Sequence, residues 1–125
     1  MDRRAVEKWV DRYELCWRTP GTEHLDELFV PAATYLPSPW SRLLEGLDEI
    51  AELWESERDG ADEDFTMSSD VVAVDGNTAV VRVFVEYATP GAGRWRGLWV
   101  LQLTDDGRCS SFEEWPFAPD QRDGH

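Results

Sequence analysis

Hydrophobic residues recur with helical spacing in the first half of the chain. Residues 2–18 carry one apolar stripe, which predicts an amphipathic helix. A short second helix is predicted with Thr22 as its N-cap and Pro31 at its end, and a third over residues 46–58. The predicted buried stripes are Val6, Trp9, Val10, Tyr13, Cys16 and Trp17 in the first helix, Leu25, Leu28 and Phe29 in the second, and Leu47, Ile50, Ala51 and Trp54 in the third.

The period changes in the second half of the chain, where apolar and polar residues alternate. This alternation predicts strands over residues 65–74, 78–88, 94–103 and 108–115, with turns at 75–77, 89–93 and 105–107. An additional short strand is expected at 33–36, followed by an extended turn at 37–40. The acidic stretch at 59–64 is expected to be a solvated connector.

Helices that precede an antiparallel meander indicate an α+β domain, with the helices packed on one face of a curved sheet. A single domain is expected over residues 1–117, followed by a polar C-terminal tail at 118–125.

Charge excludes several classes of partner. The formal net charge of −14 would repel a phosphate backbone or an anionic membrane, so neither nucleic acid nor a membrane is expected as a partner. The chain has seven tryptophans, and so many rings suit a cavity with flat apolar walls.

The cysteines and histidines carry no metal-binding pattern. Cys16 and Cys109 form no disulfide framework, and only His24 and His125 could add imidazole ligands, so no metal site is expected. His24 lies among acidic residues and is expected at the surface. With no visible signal peptide or membrane-spanning run, the expectation is a reduced, soluble, cytoplasmic protein.

The order of the elements resembles a known family. A Trp-bearing first helix is followed by LDELFVPAATYLPSPW, then GLDEIAELW, a four-strand meander and LTDDGRCSSFEEW. This order resembles the nuclear transport factor 2-like superfamily, in its SnoaL-like (polyketide cyclase type) branch, over roughly residues 5–117. The resemblance implies a cone-shaped fold with an apolar pocket at its wide end, and a homodimer formed through the outer sheet face.

A comparison with the limonene-epoxide-hydrolase-like members implies specific site residues. Glu114 takes the position of the acid that points into the pocket. Arg82 takes that of the arginine that orients the catalytic carboxylates, and Tyr35 that of a tyrosine that holds the attacking water. The chain departs from this pattern at Phe84, where those members have a second aspartate, and at Pro37, where they have an asparagine. Epoxide hydrolysis by that mechanism is therefore not expected.

The strand that carries Arg82 leaves two orientations open. Arg82, Phe84 and Glu86 share one face, while valines occupy the other. Hydrophobicity favours the valine face as the core, whereas the resemblance turns Arg82 inward, where it would need a carboxylate partner such as Glu114 or Glu86. An Arg82–Glu114 pair would then serve as a structural ion pair, a ligand-binding pair or an acid–base pair.

The functional prediction is a small-molecule pocket protein that takes an apolar or aromatic ligand. As an enzyme it would be a cofactor-independent isomerase, cyclase or dehydratase, with Glu114 as the acid–base group, Arg82 as its orienter and Tyr35 as a hydrogen-bond donor. The alternative is a non-catalytic ligand-binding or dimeric accessory domain whose own tryptophans fill the pocket. The predicted pocket residues are Trp9, Trp40, Trp54, Phe84, Glu86 and Phe112, although core packing is an open alternative for Trp9 and Trp54.

Overall fold

The computed structural model describes residues 1–58, 64–88 and 93–121. Most of the predicted connector at 59–64 and of the predicted turn at 89–93 lies outside these residues, as do positions 122–125 of the predicted tail.

Three helices form on the predicted apolar stripes: α1 (Arg3–Arg18), α2 (Leu25–Leu28) and α3 (Leu47–Glu57). Asp2 caps α1, since its carboxylate accepts a hydrogen bond from the backbone N–H of Ala5 at 3.0 Å. The buried indole of Trp9 donates to the backbone carbonyl of Leu28 at 3.0 Å and so ties α1 to the end of α2. Within the described residues, no helix is long and apolar enough to cross a membrane.

Six strands form one mixed sheet in the order β2-β1-β6-β5-β4-β3. The β1–β6 pair is parallel and the other neighbouring pairs are antiparallel. The strands are β1 (Phe29–Leu36), β2 (Leu44–Glu45), β3 (Phe65–Asp75), β4 (Thr78–Tyr87), β5 (Arg94–Leu103) and β6 (Cys109–Phe117).

The region around the second helix differs from the prediction. The strand β1 begins at Phe29 and includes Pro31, so neither residue belongs to the helix, and the N-cap of α2 is His24 rather than Thr22. Phe29 pairs with Cys109 of β6, and this long-range pairing overrides the local helical spacing. The two-residue strand β2 was not predicted, because it is too short to show a period.

The two faces of the sheet differ in burial. The inner face, which carries Val81, Val83, Trp99, Leu101 and Phe112, packs under the helices, and all five residues are buried. The outer face carries Arg82, Phe84, Arg96, Leu98 and Trp115, none of which is buried. Helices packed on one face of a curved, mainly antiparallel sheet confirm the predicted α+β cone.

Candidate functional site

A cavity of about 750 Å³ opens between the helices and the inner face of the sheet. Its walls carry four indoles, those of Trp17, Trp54, Trp95 and Trp99. Three phenols add to them, from Tyr13, Tyr35 and Tyr87. This volume is within the range of sites that hold drug-sized ligands, which are typically about 300–1,000 Å³.

Glu114 is the carboxylate on the inner face of β6. It stands directly across from Trp99 in the β5–β6 register, and the Trp99 indole N–H donates to Glu114 Oε2 at 3.0 Å. Burial raises the pKa of Glu114 from 4.5 to about 7; the bond from Trp99 opposes this shift, and the charge of Glu57 adds to it. A carboxyl group with a pKa near neutrality can both accept and donate a proton at physiological pH.

Tyr35 comes from β1, beside Glu114 on the same face. It pairs in parallel register with Phe112, the residue two positions before Glu114, and its ring stacks on Phe112 with 4.6 Å between centroids. Burial and the charge of Glu114 raise the pKa of Tyr35 well above its usual value, while neighbouring Tyr13 and Trp54 lower it. The hydroxyl therefore stays protonated and is a hydrogen-bond donor at any physiological pH.

The family of this chain is shown by a match between its sequence and a family model. The sequence model for the SnoaL-like domain matches residues 6–112, which is most of the chain. The chain belongs to this family. The match confirms the resemblance that was drawn from the order of the helices and strands. No curated protein sequence matches the chain.

Solved structures share the fold of this SnoaL-like chain. SalBIII, an epoxide hydrolase/cyclase-like enzyme in pyran ring formation of the polyether salinomycin, is 20% identical over 93% of both chains, with a TM-score of 0.73. A steroid delta-isomerase from Pseudomonas aeruginosa is 18% identical over 94% of this chain and 82% of its own, with a TM-score of 0.66. A protein with a cystatin-like fold from Caulobacter vibrioides is 16% identical over 94% and 90%, with a TM-score of 0.69. At these identities the likeness shows the fold alone.

Arg82 does not meet Glu114 in this SnoaL-like domain. It lies on the outer face of β4, where Arg82 Nη1 is 3.4 Å from Asp70 Oδ2 on β3, and its side chain is 51% exposed. The inward orientation was wrong because the alternating valines of β4 supply the buried face. An outward arginine needs only solvent and a partial ion pair, whereas an inward one would have to be desolvated.

Phe84 and Glu86 share the outer face with Arg82, so the expected inward orientation was wrong for them too. Both line a second groove of about 470 Å³ on the outer side of the sheet. Arg96 lies over the ring of Phe84, with its guanidinium carbon 5.5 Å from the ring centroid. The groove adjoins the cavity that contains Glu114, because Met67, Val85 and Trp95 line both, but Glu114 itself does not line the groove.

Besides Phe84, three aromatics of the predicted pocket do not line the cavity: Trp9, Trp40 and Phe112. Trp9 and Phe112 are 1% exposed and belong to the core beneath the cavity, not to its lining. Trp40 is 97% exposed and does not line the cavity. Trp54 does line the cavity. Its buried Nε1 meets no acceptor with hydrogen-bond geometry. The indole nevertheless lies close enough to Tyr35 to lower the pKa of the Tyr35 hydroxyl.

Glu57, at the end of α3, lines the cavity but was not singled out in the sequence. It lies three residues after Trp54 on the same helix, so helical spacing could have identified it once Trp54 was placed in the pocket. The exposed lining residues Arg42, Glu57 and Trp95 form the mouth of the cavity. Among residues 1–58, 64–88 and 93–121, no cluster of His, Cys, Asp or Glu could hold a metal ion.

Proposed function

We propose that this protein binds an apolar or aromatic small molecule and acts on it by acid–base chemistry without a cofactor, as an isomerase, cyclase or dehydratase. The observation that supports this most is Glu114, a carboxyl group with a pKa near 7 beside a permanently protonated phenol in an aromatic cavity. The SnoaL-like family and the fold shared with cyclase-like and isomerase proteins agree with it.

The proposed step is proton transfer next to a substrate carbonyl. The Glu114 carboxylate takes a proton from the carbon beside the carbonyl group, and the Tyr35 hydroxyl donates a hydrogen bond to the oxygen as it becomes an enolate. Glu114, now protonated, returns the proton to the same carbon or to a neighbouring position, which gives exchange or isomerisation. Tyr35 and Glu114 are diagonal neighbours on the inner face, which suits one donor and one base acting on a single substrate.

A hydrogen–deuterium exchange assay tests this step without knowledge of the natural substrate. The probe is 2-tetralone, an apolar aromatic ketone with an acidic C–H, incubated in D2O and followed by proton NMR. The wild type is expected to accelerate exchange, and Glu114→Gln to lose about a hundredfold or more of that acceleration. Glu113→Gln, altered on the opposite face of the same strand, is the matched control and should keep it.

The same assay discriminates the non-catalytic alternative. If 2-tetralone binds, as seen by quenching of tryptophan fluorescence, but the wild type does not accelerate exchange, the domain binds ligands without turnover. Equal acceleration by the wild type and Glu114→Gln would refute the assigned role of Glu114.

We also propose a homodimer formed through the outer sheet face. Leu98 and Trp115 are directly paired in register there and are 38% and 40% exposed, and Phe117 is 47% exposed at the end of the same strand as Trp115. Apolar side chains that adjoin on one face favour association.

Leu98→Asp is expected to give a monomer by light scattering, whereas Leu15→Asp on the exposed side of α1 should leave the dimer intact. A monomeric wild type would contradict the proposal.

The proposed compartment is the cytoplasm. Cys16 and Cys109 are both free thiols, as is usual in a reducing compartment.

A further inference from the structure

The charge of the cavity wall narrows the class of ligand that suits it. Glu114 and Glu57 both line the cavity, and neither forms an ion pair with any described residue. The arginine expected to neutralise Glu114 is on the other side of the sheet, paired with Asp70. The cavity therefore presents two acidic side chains that form no ion pair with a cationic side chain of the described residues.

Three guanidinium groups lie near this wall, and each already has a partner. Arg18 lies over the lining ring of Phe65, and its Nε is 2.9 Å from Glu14 Oε2. Arg42 lies at the mouth, but its Nη1 is 3.0 Å from Glu49 Oε1. Arg58 follows α3, and its Nη1 donates to the backbone carbonyl of Gly21 at 2.9 Å. None of the three forms an ion pair with Glu57 or Glu114. Arg58 bonds a backbone carbonyl, so its positive charge lies beside the indoles of Trp17 and Trp54 and not against either glutamate.

The rings of the cavity are also suited to a cation. The faces of aromatic rings attract positive charge, and indole attracts it most strongly. The protein already uses lining rings in this way: Arg18 lies 3.9 Å from the centroid of Phe65, and Arg58 lies 5.5 Å from that of Trp17. Glu57 is on the same helix face as the lining residues Leu53 and Trp54, so a carboxylate and indoles meet near the mouth.

We propose that the ligand of this cavity is an organic cation: an apolar ring system with a protonated amino group. The ring system lies among the indoles with its reacting carbon at Glu114, and the ammonium group lies at the mouth against Glu57. The net charge of −14 favours the approach of such a cation over that of an anion. This inference rests on the ligand cavity of the proposed function, and not on turnover.

Three matched probes test the ligand class by isothermal titration calorimetry at neutral pH. They are 2-(1-naphthyl)ethylamine, its neutral analogue 2-(1-naphthyl)ethanol, and 3-(1-naphthyl)propionate as the anion. The amine is expected to bind about tenfold more tightly than the alcohol, and the propionate more weakly than either. If the alcohol or the propionate binds as tightly as the amine, the inference is wrong, while the cavity of the proposed function stands.

Substitutions at Glu57 locate the ammonium group. Glu57→Gln should reduce the amine-to-alcohol preference to a small factor, and Glu57→Lys should shift the preference towards the propionate. The matched control is Glu55→Gln, an exposed carboxylate of α3 that does not line the cavity, and it should retain the preference. An unchanged preference in Glu57→Gln, or the same loss in Glu55→Gln, would overturn the inference.

The remaining outcomes also separate the two proposals. If none of the three probes binds to the wild type but 2-tetralone does, the cation inference is wrong and the ligand-binding basis of the proposed function stands; if 2-tetralone also fails to bind, both are wrong. If the amine preference holds but the exchange assay fails in the wild type, the cation site stands and the catalytic proposal does not.

Discussion

Glu113 and Glu114 are neighbours in β6 with the same kind of partner but different surroundings. Glu113 Oε2 accepts a hydrogen bond from Trp115 Nε1 at 2.6 Å on the exposed outer face. Glu114 Oε2 accepts one from Trp99 Nε1 at 3.0 Å inside the cavity. Burial raises the pKa of Glu114 to about 7 in spite of this bond. Loss of solvation is thus the largest cause of the raised pKa of Glu114, and the bond from Trp99 opposes it.

The two indoles that bond these glutamates also differ in burial. Their substitution gives the largest predicted change in the free energy of unfolding. Trp99 is 2% exposed and contacts the core rings of Trp9, Tyr13 and Phe112, whereas Trp115 is 40% exposed. Trp99→Ala should lower the free energy of unfolding by about 3–5 kcal/mol, because it leaves a large void in the core.

Trp115→Ala should lower the free energy of unfolding by about 1 kcal/mol or less, because its side chain is partly solvated. Urea unfolding of both variants measures the difference. Equal losses would mean that the two faces of the sheet are not distinct in burial.

The next effect is a dependence of stability on pH. The pKa of Glu114 is raised in the folded state, so its protonated form stabilises the fold; this contribution is complete below about pH 4.5 and is lost as the pH rises through 7. The free energy of unfolding should fall by about 1–3 kcal/mol across this window, a range that allows for the solvent that reaches the cavity.

Glu114→Gln isolates this contribution, because the amide does not titrate. Urea unfolding at several pH values should give a difference between wild type and variant that changes across the window. A constant difference would show that Glu114 does not have the raised pKa.

The smallest predicted change in the free energy of unfolding concerns the ion pair of Arg82 and Asp70 on the outer face of the sheet. Arg82 and Asp70 are both more than half exposed, so Arg82→Ala should change the free energy of unfolding by about 0.5 kcal/mol or less. It should also leave the exchange activity proposed for Glu114 unchanged. A loss of that activity in Arg82→Ala would restore the orienting role that the family comparison implied.

The residue pattern predicted the fold better than the site. Alternation required only that Glu113 and Glu114 point to opposite faces, and the family resemblance assigned Glu114 to the inner one. Helical spacing and alternation identified three helices and the four meander strands, because burial on one face imposes those periods. The strand β1 was placed too late, since the pairing of Phe29 with Cys109 is a long-range contact that no local period reveals.

The orientation of β4 shows why the site was harder to predict. The valines predicted the buried face correctly, but the resemblance assigned Arg82 to that face. If two strand sequences are aligned one residue out of step, every side chain is assigned to the opposite face of the sheet. A residue role carried over from such an alignment is then given to the wrong side chain. Glu57 was missed because its role depends on how α3 packs against the sheet.

The most direct test of the central claim is a 13C NMR titration of the glutamate side-chain carboxyl carbons. The signal of Glu114 is assigned by its loss in Glu114→Gln. The structure predicts a midpoint near pH 7 for this signal, as expected for a poorly solvated carboxyl group that no cation neutralises. A midpoint near the ordinary value of 4.5 would show that the group is solvated or paired, and would contradict its assignment as the proton-transfer group of the cavity.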